Sequence, residues 1–201
     1  VIYDEKALNK YRRKKNPKII RQVLNCYVYS NRRYHLGTPI IKNPQIKLNS
    51  KRLKEIKGKM IKRKEKDIFG NETITFSIKN SNSYFKFIYN PLSRNLEKTI
   101  YKINFLEELF TFIQELKVLI QNMEINYFEC FVSSYDPKHQ KIFLDMGFNP
   151  RGYIPCWKYN KDKDYFEDQI IFNYYKGKID DNIKLIPEAV ELLQALKFLE
   201  K

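Results

Sequence analysis

Alternating and helically spaced apolar residues give the chain a readable order of elements from residue 71 onward. The stretch ETITFSIKN, a SNS turn and YFKFIYN alternate apolar and polar positions and predict a β-hairpin, and KTIYKINF predicts a third strand. Residues 104–125 then repeat leucine, phenylalanine and isoleucine at helical spacing. They predict a long helix with Asn104 as its cap.

The second half of this region continues the pattern. NYFECFVSS predicts an apolar strand buried on both faces, and DPKHQKIFLDMGF predicts a short helix capped by Asp136 and stopped at Gly147. GYIPCWKY and DQIIFNYYKG predict two closing strands, followed by a last helix in IPEAVELLQALKFLEK. This order predicts an α+β fold, a mixed sheet with helices packed on it.

The N-terminal third of the chain has a different pattern of apolar and charged residues. Asn16 and Pro17 are typical of a helix start, and apolar residues at helical spacing extend the predicted helix to about Leu36. The stretch SKRLKEIKGKMIKRKEK predicts either a surface helix or a mobile arm. We therefore predict two parts, a basic and mainly helical segment at 1–66 and a mixed-sheet domain at 67–201.

Charge is segregated in the same way. The chain has a net charge of +15, whereas residues 1–66 hold 21 Lys and Arg against 4 Asp and Glu, a net charge of +17. Tyrosines are interleaved with these cations, a composition that suits phosphate contacts and base stacking. The predicted contacts to a nucleic acid or an acidic protein are Arg12, Arg13, Lys14, Lys15, Arg32, Arg33, Arg52 and Arg63.

Composition narrows the remaining classes. No run approaches the 18 or so apolar residues of a membrane span, and the first residues are charged rather than signal-like. The chain has three widely spaced cysteines and two histidines, which predicts no metal centre. Sparse cysteines of odd number favour a reducing compartment, so the predicted location is the cytoplasm.

The element order and the stretch DPKHQKIFLDMGF resemble the GNAT superfamily of N-acyltransferases. The family pattern is roughly N-x-x-A-x-x-x-Y-x-x-x-G-F, and its Gly-Phe corresponds to Gly147 and Phe148 here. The Asn position falls on Asp136, the Ala position on His139 and the Tyr position on Phe143. The resemblance covers about residues 71–178 and implies a GNAT-like fold.

The resemblance also implies an acetyl-CoA or other acyl-CoA cofactor, whose pantetheine arm would lie between two splayed strands. The implied contacts are Ile100, Tyr101, Lys102, Ile103, Phe131, Val132, Ser133, Ser134, Asp136 and Phe143. In the family a glycine-rich loop at the start of the long helix holds the pyrophosphate, because glycines let backbone N–H groups approach it. This chain has no glycine between residues 71 and 146, and it places Glu107 and Glu108 at that helix start.

The residues for chemistry also depart from the family pattern. Phe143 cannot protonate a departing thiolate as the family's tyrosine does. Tyr135 is the predicted replacement, and Glu129 is the candidate base for the amine. Further candidates for the missing acid are Ser133, Ser134, His139 and Cys130, although His139 is expected to be exposed and Cys130 to be a core residue.

Two functions follow from these observations. One is an acyltransferase that moves an acyl group from acyl-CoA to an amine. The alternative is a non-catalytic module of the same fold that binds a nucleic acid or an acidic protein through residues 1–66. The glycine-free loop, Phe143 and the segregated charge favour the alternative, whereas the element order favours the enzyme.

Overall fold

The computed structural model describes residues 4–177 and 184–197. The strands are β1 (Lys18–Ile20), β2 (Ile40–Lys42), β3 (Met60–Lys66), β4 (Glu72–Ile78), β5 (Tyr84–Asn90), β6 (Asn95–Lys102), β7 (Tyr127–Ser133), β8 (Asn149–Asn160) and β9 (Tyr165–Tyr175). The helices are α1 (Glu5–Tyr11), α2 (Leu24–Tyr34), α3 (Ser50–Lys59), α4 (Leu106–Asn122), α5 (Pro137–Asp145) and α6 (Pro187–Lys197).

Seven strands form one mixed sheet in the order β3, β4, β5, β6, β7, β9, β8, and β1 pairs with β2 separately. Neighbours in the large sheet are antiparallel except β6 and β7, which are parallel. Helix α4 connects these two strands, and α5 connects β7 to β8. The predicted α+β, GNAT-like fold is confirmed by this order.

Helices α2, α4 and α5 cover the same face of the sheet. Phe112 of α4 packs 6.4 Å from Phe76, and Phe143 of α5 packs 5.7 Å from Phe172, both measured between ring centroids. Strand β7 alternates buried residues on this face with half-buried residues on the opposite face. The prediction that β7 is buried on both faces is therefore wrong, because its odd-numbered side chains lie away from the helices.

The predicted helix at 16–36 begins later than expected. Residues 18–20 form β1, residues 21–23 form a turn of 3₁₀ helix, and α2 begins at Leu24. The side chain of Gln140 explains the change, since its Oε1 accepts from the backbone N–H of Ile20 and its Nε2 donates to the carbonyl of Lys18. Ile20 is 2% exposed, so this backbone satisfies its polar groups in extended form against α5.

The basic segment 1–66 is built into the same core as the rest. Ile19, Val23 and Cys26 are fully buried in the core cluster. The Lys-rich stretch forms α3 and then β3, which pairs with β4 along all seven of its residues. The predicted boundary at 66/67 thus falls between two adjacent strands of one sheet, and the described N-terminal part contains three strands besides its helices.

Candidate active site

A groove opens where β6 and β7 separate. Within the described chain these strands pair at Asn95 with Tyr127 and at Leu96 with Phe128, and no further. Beyond that point the register of β6 against β5 shifts, and Lys98 adopts a left-handed φ of 51°. The resulting groove has a volume of about 790 Å³, within the range of about 300–1,000 Å³ typical of small-ligand sites.

Seven of the ten residues predicted to contact the cofactor line this groove, namely Ile100, Tyr101, Lys102, Ile103, Phe131, Ser133 and Asp136. The other three, Val132, Ser134 and Phe143, are fully buried. Val132 and Ser134 point to the helix-covered face because side chains alternate along a strand. Trp157 stacks on Phe131 with ring centroids 5.2 Å apart and extends the groove wall onto β8.

In the described structure, three buried polar atoms without a hydrogen-bond partner belong to residues that line the groove. They are the hydroxyls of Thr99 and Tyr135 and the amide nitrogen of Gln169. Thr99 is 4% exposed and Gln169 is 3% exposed. Buried polar groups are nearly always hydrogen-bonded, so three such atoms along one groove point to a ligand that carries hydrogen-bonding groups.

Tyr101, His139 and Asp136 form a chain of polar contacts at the groove. The Tyr101 hydroxyl lies 3.2 Å from His139 Nδ1, and His139 Nε2 lies 3.3 Å from Asp136 Oδ2. Burial lowers the pKa of His139 below its usual 6.5, although the Asp136 carboxylate opposes this shift. The His139 side chain is 17% exposed, so the expectation that it is exposed is wrong.

Phe143 lies beneath this chain and not in the groove. Its ring is fully buried, 6.1 Å from Tyr101 and 5.9 Å from Phe148 between centroids. Phe143 follows His139 by four residues, so both side chains lie on the same face of α5. Tyr101 reaches this face from the strand and presents a phenol there.

The predicted catalytic residues separate in space. Tyr135 lines the groove, and burial raises the pKa of its phenol well above the usual range. Glu129 accepts a hydrogen bond of 2.7 Å from Tyr127 and is not among the groove-lining residues. Cys130 is fully buried, and burial raises the pKa of its thiol well above the usual range, so it is a core residue.

Two arginines predicted to bind a polyanion are engaged within the protein. Arg12 makes a bidentate ion pair with Asp168, which is fully buried, at 2.5–2.9 Å. Burial alone would lower the pKa of Arg12, but the hydrogen bond to Asp168 and the charge of Asp168 outweigh burial, so the pKa is raised overall. Arg13 pairs with Glu167 at 2.8 Å and stacks over Tyr135 at 4.2 Å, which makes it part of the groove wall.

The other six predicted cations, Lys14, Lys15, Arg32, Arg33, Arg52 and Arg63, are exposed. Arg52 lies over the ring of Phe105, 4.2 Å from its centroid, and 3.9 Å from the Glu107 carboxylate. Arg12 is unavailable to an external polyanion because its side chain is only 14% exposed and already paired. The exposed cations remain candidates for such contacts.

The start of α4 is occupied by the chain's own carboxylates. Glu108 Oε2 accepts hydrogen bonds from the backbone N–H groups of Asn104 and Phe105 and from the Ser83 hydroxyl, at 2.7–3.0 Å. Glu107 accepts from the backbone of Asn49. Asn104 does not cap the helix, which begins after Phe105. A diphosphate would meet two buried carboxylates here, so this position does not fit that group.

Sequence reasoning missed Thr99, Gln169 and Trp157, and it named His139 as a candidate acid without placing it in the groove. Only the Asp168-Gln169 pair carried a signal, because two polar residues directly precede the apolar run IIF in a strand. Among residues 4–177 and 184–197 there is no group of three potential metal ligands. No helix in these ranges is both long and apolar enough to cross a membrane.

Comparison with known proteins gives partial structural likenesses. No protein-family model matches the chain, and no curated protein sequence matches it. A structure described as a probable acetyltransferase is 13% identical with a TM-score of 0.43, over 53% of this chain and 62% of that one. The spermidine/spermine N-acetyltransferase SpeG from Vibrio cholerae is 14% identical with a TM-score of 0.42, over 52% of this chain and 65% of that one. The chain thus spans less than two thirds of either, and the fold assignment rests on the strand order.

Proposed function

We propose that this protein is an N-acyltransferase that holds the pantetheine arm of an acyl-CoA in the groove between β6 and β7 and transfers the acyl group to an amine. The observation that carries the proposal is the separation of the two parallel strands after Leu96 and Phe128. Separated strand edges present unpaired backbone N–H and C=O groups, which an extended ligand with amide groups can pair with.

The unpartnered side chains of the groove support the same ligand. The Gln169 amide nitrogen can donate only to an acceptor, such as an amide or thioester carbonyl. The Thr99 and Tyr135 hydroxyls can donate or accept. In this proposal Tyr135 and Gln169 donate to carbonyl oxygens of the bound arm, and Thr99 satisfies one of its amides.

Calorimetric titration with acetyl-CoA tests the proposal. We expect saturable binding to the wild type. Gln169→Leu and Thr99→Val should each raise the Kd by up to about tenfold, because each variant loses a hydrogen bond worth about 1 kcal/mol. Thr75→Val, on the half-buried face of β4 and outside the groove, is the matched control and should bind as the wild type does. No detectable binding at millimolar acetyl-CoA would overturn the proposal.

A second candidate function is binding of a polyanion, either a nucleic acid or an acidic protein. Residues 50–66 form α3 and the edge strand β3, and they carry nine Lys and Arg against two Glu. Such an exposed stretch of one sign attracts phosphates or carboxylates, and the affinity falls as the salt concentration rises because the counterions released on binding then gain less entropy.

Fluorescence anisotropy with labelled RNA and with polyglutamate tests this second function. The triple variant Lys57→Gln, Lys59→Gln, Arg63→Gln should weaken binding and flatten its dependence on salt. The matched control neutralises three exposed lysines elsewhere, Lys117, Lys138 and Lys161. Equal losses in both triple variants would indicate attraction to net charge alone, and salt-independent binding would exclude this mode.

A further inference from the structure

We propose that Tyr101, His139 and Asp136 form a proton relay that serves acyl transfer in the groove, with Tyr101 as the group that touches the substrate. The inference rests on the proposed acyltransferase function. His139 and Asp136 act through Tyr101 and are positioning residues.

The direction of the hydrogen bonds follows from what each group can donate. A carboxylate only accepts, so the proton of a neutral His139 ring belongs on Nε2, 3.3 Å from Asp136 Oδ2. Nδ1 is then an acceptor, and the Tyr101 hydroxyl donates to it across 3.2 Å. Asp136 is also held in place, because its Oδ1 caps α5 by accepting from the backbone N–H groups of Lys138 and His139.

The position of the relay matches the group that the helix lacks. Phe143 offers no proton, but the Tyr101 ring packs against it and the Tyr101 hydroxyl contacts His139, one turn earlier on α5. Tyr101 and His139 both line the groove. A phenol that comes from β6 thus occupies the side of the groove where a phenol from α5 is missing.

The relay can move one proton from the amine nitrogen to the thioester sulfur without a net change in its own protonation state. As the amine nitrogen forms its bond to the acyl carbon, it gives a proton to Tyr101 Oη, and Tyr101 passes its own proton to His139 Nδ1. As the carbon–sulfur bond breaks, its electron pair stays on sulfur, Tyr101 protonates the sulfur, and His139 returns a proton to Tyr101. The Asp136 carboxylate stabilises the transient imidazolium charge.

Protonation of His139 depends on the charges around it. The charged groups that line the same groove are Arg13 before β1, Lys102 on β6, Asp136 at the start of α5, Lys158 on β8 and Glu167 on β9. Tyr101 faces the ring from β6, and burial raises the pKa of its phenol, so it stays protonated. At neutral pH the relay therefore rests with a neutral imidazole ready to accept.

Nitrogen NMR of the histidine rings tests the arrangement directly. The chain has only His35 and His139, and His139→Gln assigns the signals. We expect His139 to carry its proton on Nε2 and to titrate below 6.5, and we expect Tyr101→Phe to shift both its Nδ1 resonance and its pKa. His35 is exposed and serves as the internal reference that should not move.

Kinetics with acetyl-CoA and a panel of primary amines, read as thiol release, test the role in catalysis. Tyr101→Phe and His139→Gln should lower kcat by about 10²–10⁴-fold, the usual contribution of a positioned acid–base group, and leave KM for acetyl-CoA nearly unchanged. Tyr89→Phe removes a phenol from β5 outside the groove and is the matched control.

The outcomes separate the two proposals. If the wild type binds no acetyl-CoA, the proposed function and the relay both fall. If acetyl-CoA binds but Tyr101→Phe leaves the His139 resonances and kcat unchanged, the relay alone is overturned. A His139 ring protonated on Nδ1 in the neutral form would also overturn it, because Nδ1 could not then accept from Tyr101.

Discussion

Asp168 is a single buried carboxylate that connects several parts of the chain beside the groove. It accepts from Arg12, from the Tyr153 hydroxyl at 2.5 Å and from the backbone N–H of Cys156 at 3.1 Å. Burial, followed by the Asp168 charge, raises the pKa of Tyr153 well above its usual range, so its phenol remains a donor. The next residue after Arg12, Arg13, supports Tyr135 in the groove wall.

Replacing Asp168 should destabilise the fold strongly. Asp168→Asn keeps the shape of the side chain but leaves the Arg12 guanidinium buried without a counter-charge. Loss of one partner of a buried pair costs about 3–5 kcal/mol. We expect that decrease in the free energy of unfolding measured by urea denaturation.

The exposed pair of Arg94 and Glu124 provides the control for this measurement. Arg94→Gln should change the free energy of unfolding by about 1 kcal/mol or less, because water screens exposed ion pairs. Similar losses in both variants would mean that Asp168 contributes no more than a surface charge.

His139 should also make stability depend on pH. Its pKa is lowered in the folded state, so the unfolded chain binds more protons between the folded-state pKa and 6.5. The stability that His139 contributes is present above about 6.5 and is lost as pH falls below that value. Thermal unfolding between pH 7.5 and 5 should show a smaller decrease in Tm for His139→Gln than for the wild type. An identical pH dependence would contradict the lowered pKa.

At the scale of single residues, the sequence identified individual functional side chains more readily than the contacts that they make with distant residues. Asp136 was identified as the cap of α5 and forms it, since its short carboxylate precedes Pro137. The pairing of Arg12 with Asp168 joins residues 156 positions apart, and no local pattern encodes such a contact. Arg12 therefore had the same appearance in the sequence as the exposed Arg63.

At the scale of elements, the start of α4 sets what the groove can hold. Glu108 accepts from the backbone of Asn104 and Phe105 just before the helix, and Glu107 accepts from the backbone of Asn49, so two buried carboxylates occupy the position where the family resemblance would place a diphosphate. The groove farther along β6 and β7 does not depend on that helix start. In the proposed function, the acyl donor should consequently be recognised mainly through its pantetheine part.

A comparison of donors tests this expectation. The kcat/KM values for acetyl-CoA and S-acetyl-pantetheine should lie within about tenfold, because the missing phosphates cost little where they have no anchor. The acetyl thioester of N-acetylcysteamine, which lacks most of the arm, should be a much poorer donor. A preference of more than about 1,000-fold for acetyl-CoA over S-acetyl-pantetheine would require a phosphate site elsewhere.

The elements after residue 71 were largely predictable, because apolar periodicity is strong there and the turns are marked by polar residues. Strand β1 was not, since a side chain from α5 supplies two of its hydrogen bonds and the others go to segments distant in the sequence. Strand β3 was hidden by its own composition, MIKRKEK, which has few strand-forming residues. An edge strand tolerates this composition, and its charges also discourage pairing with other chains.

At the scale of the whole molecule, the basic N-terminal part cannot be removed as a unit. Deleting residues 1–66 would take away β3, the Arg12 contact and the buried Ile19 and Val23. Loss of polyanion binding in such a deletion would report unfolding as readily as lost contacts. Point substitutions on α3 and β3 are therefore the appropriate test of that surface.

A shorter deletion gives a prediction of its own. Removing residues 1–16 eliminates Arg12 and should lower Tm sharply, because Asp168 stays buried without its cation. Adding Asp168→Asn to the deletion should recover part of the loss, as the uncompensated charge is gone. If the deletion variant keeps the Tm of the wild type in differential scanning calorimetry, residues 1–16 are dispensable for stability.

The contact between Arg12 and Asp168 also constrains the time course of folding. Arg12 precedes β1 and Asp168 lies on β9, so a growing chain holds Arg12 unpaired until nearly all of the sheet has been made. Closing so long a loop costs conformational entropy before the stabilising contact has formed, which favours slow folding. The ion pair between Arg12 and Asp168 therefore forms late in folding. Weakening it should chiefly accelerate unfolding, and the wall beside Tyr135 would be the last part of the groove to close and the first to open.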